Sequence, residues 1–169
     1  MIRTAIVAAF LLGACGESQK PPETPMQPTV ETPTQAPTAD PTALAADEIA
    51  APAGEIEVVL PVRSAKVTSP LVVEGKAINT WFFEGVFSAE LSVDGEPIAE
   101  APAEQQAPDN WTNAGPVKFR AELPFTVASE TAAVLILRES MPQPASPDSD
   151  VDGPARTVRI PVTLVPAAN

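Results

Sequence analysis

From Glu55 onward the sequence alternates between apolar and polar residues with the two-residue period that is typical of half-buried β-strands. In the clearest stretch, 86–93, residues 87, 89, 91 and 93 are apolar and residues 88, 90 and 92 are polar. The dipeptide Asp94-Gly95 follows directly and is a strong signal for a hairpin turn. This alternation predicts seven strands, at 55–60, 71–78, 86–93, 96–100, 117–123, 132–137 and 156–165.

The predicted strands fit an all-β domain of about 115 residues, without a convincing long helix. The stretch 132–137 (AAVLIL) is almost continuously apolar, which indicates a strand that is covered on both faces or lies at the centre of the core. Seven short strands with frequent turn signals are typical of an immunoglobulin-like β-sandwich. A small barrel is the alternative.

The first residues have the features of a secretory signal peptide. Arg3 precedes an apolar run at 5–12, which is far shorter than the roughly 20 residues that a membrane-spanning helix needs. Leu12-Gly13-Ala14-Cys15 resembles the lipobox of bacterial lipoproteins, a family in which the Cys receives a diacylglycerol and becomes the acylated N-terminus. The resemblance implies lipidation of Cys15, with chains such as palmitate, and anchoring in a membrane of the cell envelope outside the cytoplasm. Gly16 then favours the outer membrane in a Gram-negative organism, and a plain signal peptide with an unrelated Cys is the alternative.

Between the leader and the predicted strands lies a segment of Pro, Thr, Ala and acidic residues without an aromatic side chain. Such a composition buries too little apolar surface to offset the entropy of ordering, which indicates a disordered tether. Within it, residues 42–51 (TALAADEIAA) could form one or two helical turns. The predicted organisation is a signal peptide at 1–14, a lipidated Cys and tether at 15–54, and the sandwich at 55–169.

The composition narrows the classes of function. A formal net charge of −12 argues against nucleic acid as a partner, because its phosphates require a basic face. The absence of His removes the commonest general base and the commonest metal ligand. A single Cys cannot form an intramolecular disulfide. The sequence therefore predicts a protein that is not an enzyme and carries no cofactor.

The candidate binding residues are aromatic. Trp81, Phe82, Phe83 and Glu84, together with Trp111, could form a surface for a sugar, a peptidoglycan strand or a protein, because aromatic side chains are enriched at binding hot spots. The alternative is that these side chains belong to the core. Three consecutive aromatic residues in extended chain cannot all face the same side, so at least one should be exposed or covered only by a loop.

Several of these residues also carry a resemblance to a known family. The stretch 69–77 (SPLVVEGKA) followed by 81–85 (WFFEG) resembles the immunoglobulin-like domain of bacterial spore germination proteins. Further similarities are Trp111-Thr112, the stretch 123–125 (LPF), the stretch 137–140 (LRES) and the stretch 160–162 (IPV), so that the resemblance covers about 56–165. It implies an immunoglobulin-like fold and a non-catalytic adhesion or interaction module. Residues 141–155 form a longer loop than the family has.

A second candidate lies in that loop, where Asp148, Asp150 and Asp152 precede Gly153 and resemble the start of a calcium-binding loop. The closing ligand of such a loop would fall at Arg159, which has the wrong charge, so a solvated acidic loop is favoured and no metal is expected. The sequence therefore predicts a lipid-anchored envelope protein whose domain contacts an envelope protein or a cell-wall polymer. A small hydrolase acting on wall glycan and a calcium-dependent adhesion module are the alternatives.

Overall fold

A computed structural model describes residue 40 and residues 42–167 of the chain. The leader, Cys15 and the tether up to residue 39 lie outside the described residues, so the predictions made for them stay predictions. The described part contains nine strands, one 3₁₀ turn at Asn79–Trp81 and no α-helix. The strands are β1 Glu48–Ala50, β2 Ile56–Leu60, β3 Lys66–Val67, β4 Leu71–Ile78, β5 Val86–Val93, β6 Glu96–Gln105, β7 Pro116–Leu123, β8 Thr131–Arg138 and β9 Ala155–Leu164.

The strands form one mixed sheet in the order β1-β9-β8-β5-β6-β7-β4-β2, with β3 also paired to β9. The connection between β6 and β7 is narrow, because only Glu104 with Arg120 and Gln105 with Phe119 are in register there. At this point the sheet curls over, and β2-β4-β7 face β9-β8-β5-β6 as the two layers of a sandwich. The prediction of an all-β sandwich is therefore confirmed.

The core lies between the two layers and follows the alternation seen in the sequence. In β4 the buried residues are at 71, 73, 75 and 77, and in β7 they are at 117, 119, 121 and 123. Strand β8 is buried from Ala133 to Leu137, as its continuous apolar run predicted. Six of the seven predicted strands agree with the structure to within one residue at each end, and the seventh, β6, runs five residues beyond its predicted end.

The prediction of helical turns at 42–51 is wrong. Residues 48–50 form β1, which pairs in parallel with β9 in the register Glu48 to Ala155. Ten residues are too few for a stable isolated helix in water, and long-range contacts decide the conformation instead. The side chain of Glu48 is fully buried, and its Oε2 accepts hydrogen bonds from Nε and Nη2 of Arg159 at 3.1 and 2.7 Å. The folded region therefore begins before Glu55, within the range that the sequence assigned to the tether.

Candidate functional site

Three loops gather at one end of the sandwich, which we call the loop end: residues 79–85, 106–115 and 139–154. The register brings them together, because Ile78 pairs with Pro116, Val86 with Glu104 and Arg138 with Thr157, each at the border of a loop. A hydrogen bond of 3.0 Å from the backbone N–H of Ser140 to the carbonyl oxygen of Trp81 joins the first and third loops directly.

The structure divides the three consecutive aromatic residues between the core and the surface. Trp81 and Phe82 are 0% and 1% exposed, whereas Phe83 is 49% exposed. Phe87 meets Trp81 and Phe82 edge to face, with ring centroids 5.5 and 5.1 Å apart, and it meets Phe119 in the same way at 4.9 Å. Such edge-to-face pairs stabilise a core beyond the area they bury. The expectation that at least one of the three would be exposed is confirmed, and the exposed residue is Phe83.

Phe83 is presented by a tight turn with little freedom. The backbone N–H groups of Phe83 and Val86 each donate to the other residue's carbonyl oxygen, at 2.9 and 3.1 Å, and enclose the pair Glu84-Gly85. Both enclosed residues have left-handed φ angles, 52° and 81°. This is the backbone of a two-residue hairpin turn with positive φ at both positions, in which Gly is the favoured residue. Glu84 is exposed at the tip of this turn.

Gln105 links the Phe83 turn to the loop that carries Trp111. Its backbone N–H donates to the carbonyl oxygen of Gly85 at 2.8 Å, and its side-chain Oε1 accepts from the backbone N–H of Trp111 at 2.9 Å. Trp111 is half-buried and packs against the edge of the core. The structure thus brings the Phe83 turn and the Trp111 loop together, while Trp81 and Phe82 are packing residues of the interior.

An ionic network that the sequence did not predict lies beneath the loop end. The Nε of Arg156 donates to Glu139 Oε2 and its Nη1 donates to Glu55 Oε2, both at 2.6 Å. Its Nη2 reaches the carbonyl oxygen of Thr80 at 3.3 Å, and its guanidinium lies 5.9 Å from the centre of the Trp81 ring. The only feature of the sequence that pointed to this network was the position of Glu139 and Arg156 at the ends of neighbouring apolar strands.

This network keeps Arg156 charged between two carboxylates. Burial lowers the pKa of Arg156, but its hydrogen bonds with Glu139 and Glu55 outweigh that effect and raise it, so the guanidinium stays charged. The side chain of Glu139 is 1% exposed and that of Glu55 is 23% exposed. The two carboxylates therefore share one cation.

The surface of the loop end is apolar and acidic. The sequence places no Lys or Arg in the three loops. Exposed apolar side chains stand beside carboxylates there: Phe83, Met141 and Val151 are 49%, 46% and 69% exposed. Asp148, Asp150 and Asp152 are exposed in the third loop, and the described residues contain no group of three or more acidic side chains placed to hold a metal ion.

Comparisons with protein-family models, with curated proteins and with solved structures give no match for this chain. Among the residues that the structure describes, no helix has the length and apolar character needed to cross a membrane.

Proposed function

We propose that this protein is a lipid-anchored protein of the bacterial cell envelope, which presents a non-catalytic immunoglobulin-like domain to an envelope protein or a cell-wall polymer. The anchor is supported by the lipobox resemblance that ends at Cys15. The immunoglobulin-like architecture is supported by the two-layered all-β fold and by the resemblance of 56–165 to the domain of spore germination proteins.

The observation that carries the proposal is the exposure of Phe83. A large aromatic side chain is held outward on a turn whose backbone is fixed at both ends, while its two aromatic neighbours are buried. Presentation on a rigid element lowers the entropy lost on binding. Met141 and Val151 add exposed apolar surface at the same end, and apolar surface with a polar rim is typical of interaction sites.

The direction of the chain is consistent with presentation away from an anchor. Asp40 lines the same groove as Asp94, Gly95 and Thr163, which belong to the hairpin and the strand end opposite the loop end. The chain that precedes Asp40 therefore joins the domain at the opposite end from Phe83.

In vivo photo-crosslinking tests the binding surface. A photoreactive phenylalanine analogue at position 83 of the full chain should trap a discrete partner. The matched control is the same analogue at position 98, because Ile98 is similarly exposed (41%, against 49% for Phe83) but lies on β6 near the opposite end. Equal products from both positions, or none from position 83, would argue against the loop end as the contact surface.

The anchor is tested separately. Cys15→Ser should abolish incorporation of labelled palmitate and release the protein from the membrane fraction. Unchanged processing and fractionation of this variant would sink the anchoring part of the proposal and leave the binding part open.

A further inference from the structure

The third loop of the loop end is bonded to both sides of the turn that presents Phe83. The hydroxyl of Ser140 donates to the carbonyl oxygen of Val86 at 3.1 Å, and the backbone N–H of Ser140 donates to the carbonyl oxygen of Trp81 at 3.0 Å. Met141 follows Ser140 directly in the chain and is exposed. The exposed apolar surface of the third loop therefore begins beside the Phe83 turn.

The rest of this loop folds back on itself. The N–H of Gly153 donates to the carbonyl oxygen of Gln143 at 2.8 Å, and the N–H of Ala145 donates to that of Val151 at 2.9 Å. These bonds join the two arms of the loop. The acidic stretch 148–152 is therefore held by the loop's own backbone and stays at the loop end.

The exposed carboxylates of the loop end lack the cations that carboxylates have elsewhere in the domain. Glu84, Asp148, Asp150 and Asp152 are exposed, and none of them forms an ion pair with another described residue. The ion pairs of the described part use other carboxylates, and their basic members are Lys66, Arg120, Arg138, Arg156 and Arg159. Within the described part, the negative charge at the loop end is therefore uncompensated.

Two exposed lysines stand near this end but on a different surface. Lys76 and Lys118 are paired in register on β4 and β7, two positions from the pair of Ile78 with Pro116 that borders the loops. Both alternate with the buried residues of their strands, so their side chains point to the outer face of that layer. They lie on the flank of the sandwich and not on the surface that the three loops form.

From this geometry we propose that the partner of the loop end is a protein surface that presents Lys or Arg side chains around an apolar patch. The inference rests on the proposed function and narrows it. Phe83 contacts the apolar patch, and the partner's cations meet the exposed carboxylates around it. Wall polymers that carry phosphate or carboxylate groups are disfavoured, because like charges across an interface repel each other, and a second copy of the same loop end is disfavoured for the same reason.

The charge dependence of crosslinking tests the proposal. Envelopes are isolated from cells that express the full chain with the photoreactive phenylalanine analogue at position 83, at an expression level where the yield still rises with the amount of protein. They are irradiated at about 0.05 M and at about 0.5 M NaCl, because salt at the higher concentration screens exposed charges. The yield of the crosslinked product should fall about fivefold at the higher concentration, the effect of one surface ion pair.

Two variants locate the charge. The first removes the exposed carboxylates of the third loop: Asp148→Asn, Asp150→Asn and Asp152→Asn. The matched control removes three exposed carboxylates from the β5–β6 hairpin: Asp94→Asn, Glu96→Gln and Glu100→Gln. The loop variant should lower the yield at low salt by about fivefold and lose most of its salt dependence, whereas the control should behave as the wild-type protein. Equal urea midpoints of the two variants show that the loop change acts on the partner and not on the fold.

Three results would each overturn the proposal. The first is a yield that does not depend on salt, or that falls equally in the loop variant and its control. The second is a product whose mass falls on digestion with a muramidase, which would identify a wall polymer. The third is a product that contains only this chain, which would identify a second copy. In all three cases crosslinking from position 83 persists, so the loop end remains a contact surface. The absence of any product from position 83 would instead remove the loop end as the contact surface, and this proposal with it.

Discussion

Glu48 and Arg159 are 111 residues apart in the chain, yet Oε2 of Glu48 lies 2.7 Å from Nη2 of Arg159. The same carboxylate also bonds to Arg138, and its side chain is fully buried. This contact fixes the first strand of the folded region onto β9.

We expect Glu48→Gln to lower the free energy of unfolding at pH 7 by about 3 kcal/mol, because it leaves two arginines without their shared anion. Burial raises the pKa of Glu48, but hydrogen bonds from Arg138, the N–H of Ala45 and Arg159 outweigh it and hold the pKa below the usual 4.5. A carboxyl group whose pKa is lower in the folded state than in the unfolded state stabilises the fold fully above about pH 4.5, its ordinary pKa. This stabilisation is lost as the pH falls from there through the lower folded-state pKa.

Urea denaturation between pH 7 and pH 3 checks both statements. The wild-type protein should lose stability steeply below about pH 4.5, and the Glu48→Gln variant should lose less over the same interval. The exposed Glu57→Gln variant is the control. If the free energy of unfolding fell equally with pH in Glu48→Gln and in the wild-type protein, Glu48 would not contribute to the loss of stability in acid.

The network beneath the loop end makes a second prediction. Arg156→Gln should lower the free energy of unfolding by about 3 to 5 kcal/mol, because it removes the ion-pair partner of the buried carboxyl group of Glu139, whose side chain is 1% exposed. Lys66→Gln is the matched control, since Lys66 and Glu130 form an ion pair whose side chains are 65% and 54% exposed. It should change the free energy of unfolding by less than about 1 kcal/mol. Similar losses in both variants would contradict the burial argument.

Phe82 and Phe83 provide a third prediction, because they are neighbours of the same residue type with opposite exposure. Phe82→Ala should lower the free energy of unfolding by about 3 to 5 kcal/mol through the cavity it leaves beside Phe87. Phe83→Ala should leave the free energy of unfolding nearly unchanged and remove most of the affinity for the partner. Chemical denaturation and a pull-down of the crosslinked partner measure the two effects. A large stability loss in Phe83→Ala would mean that this side chain is part of the core.

Gly75 carries the fourth prediction. It lies on β4 between β2 and β7, and a Cβ added there would meet the carbonyl oxygen of Glu57 and lie 2.7 Å from the ring of Phe119. The backbone atom cannot give way without disturbing the β2–β4 pairing, so Gly75→Ala should destabilise the domain by about 3 kcal/mol. Lys76→Ala, at the exposed neighbouring position, is the control. An unchanged melting temperature for Gly75→Ala would show that the strands can move apart at that point.

The strands of this protein could be located from the sequence because their signal is local. Apolar and polar residues alternate with a period of two within each strand, as in 86–93. The Asp94-Gly95 turn marks where the chain reverses direction after that strand. The continuous apolar run of β8 likewise predicted a strand that is buried on both faces. The sequence also showed that one of three adjacent aromatic residues had to leave the core, because side chains along an extended chain point alternately to opposite sides.

Only the tertiary structure decided which of the three aromatic residues is exposed. It also decided which segments far apart in the sequence contact each other. The tight turn at Glu84-Gly85 directs Phe83 outward, whereas Trp81 and Phe82 both pack against Phe87. Strand β1, the Glu48 contacts and the Arg156 network were not predictable, because their partners lie between 17 and 111 residues away and no local period records such pairs. Local patterns determine the elements of this domain, whereas its exposed surfaces follow from the sheet order that brings distant strand ends together.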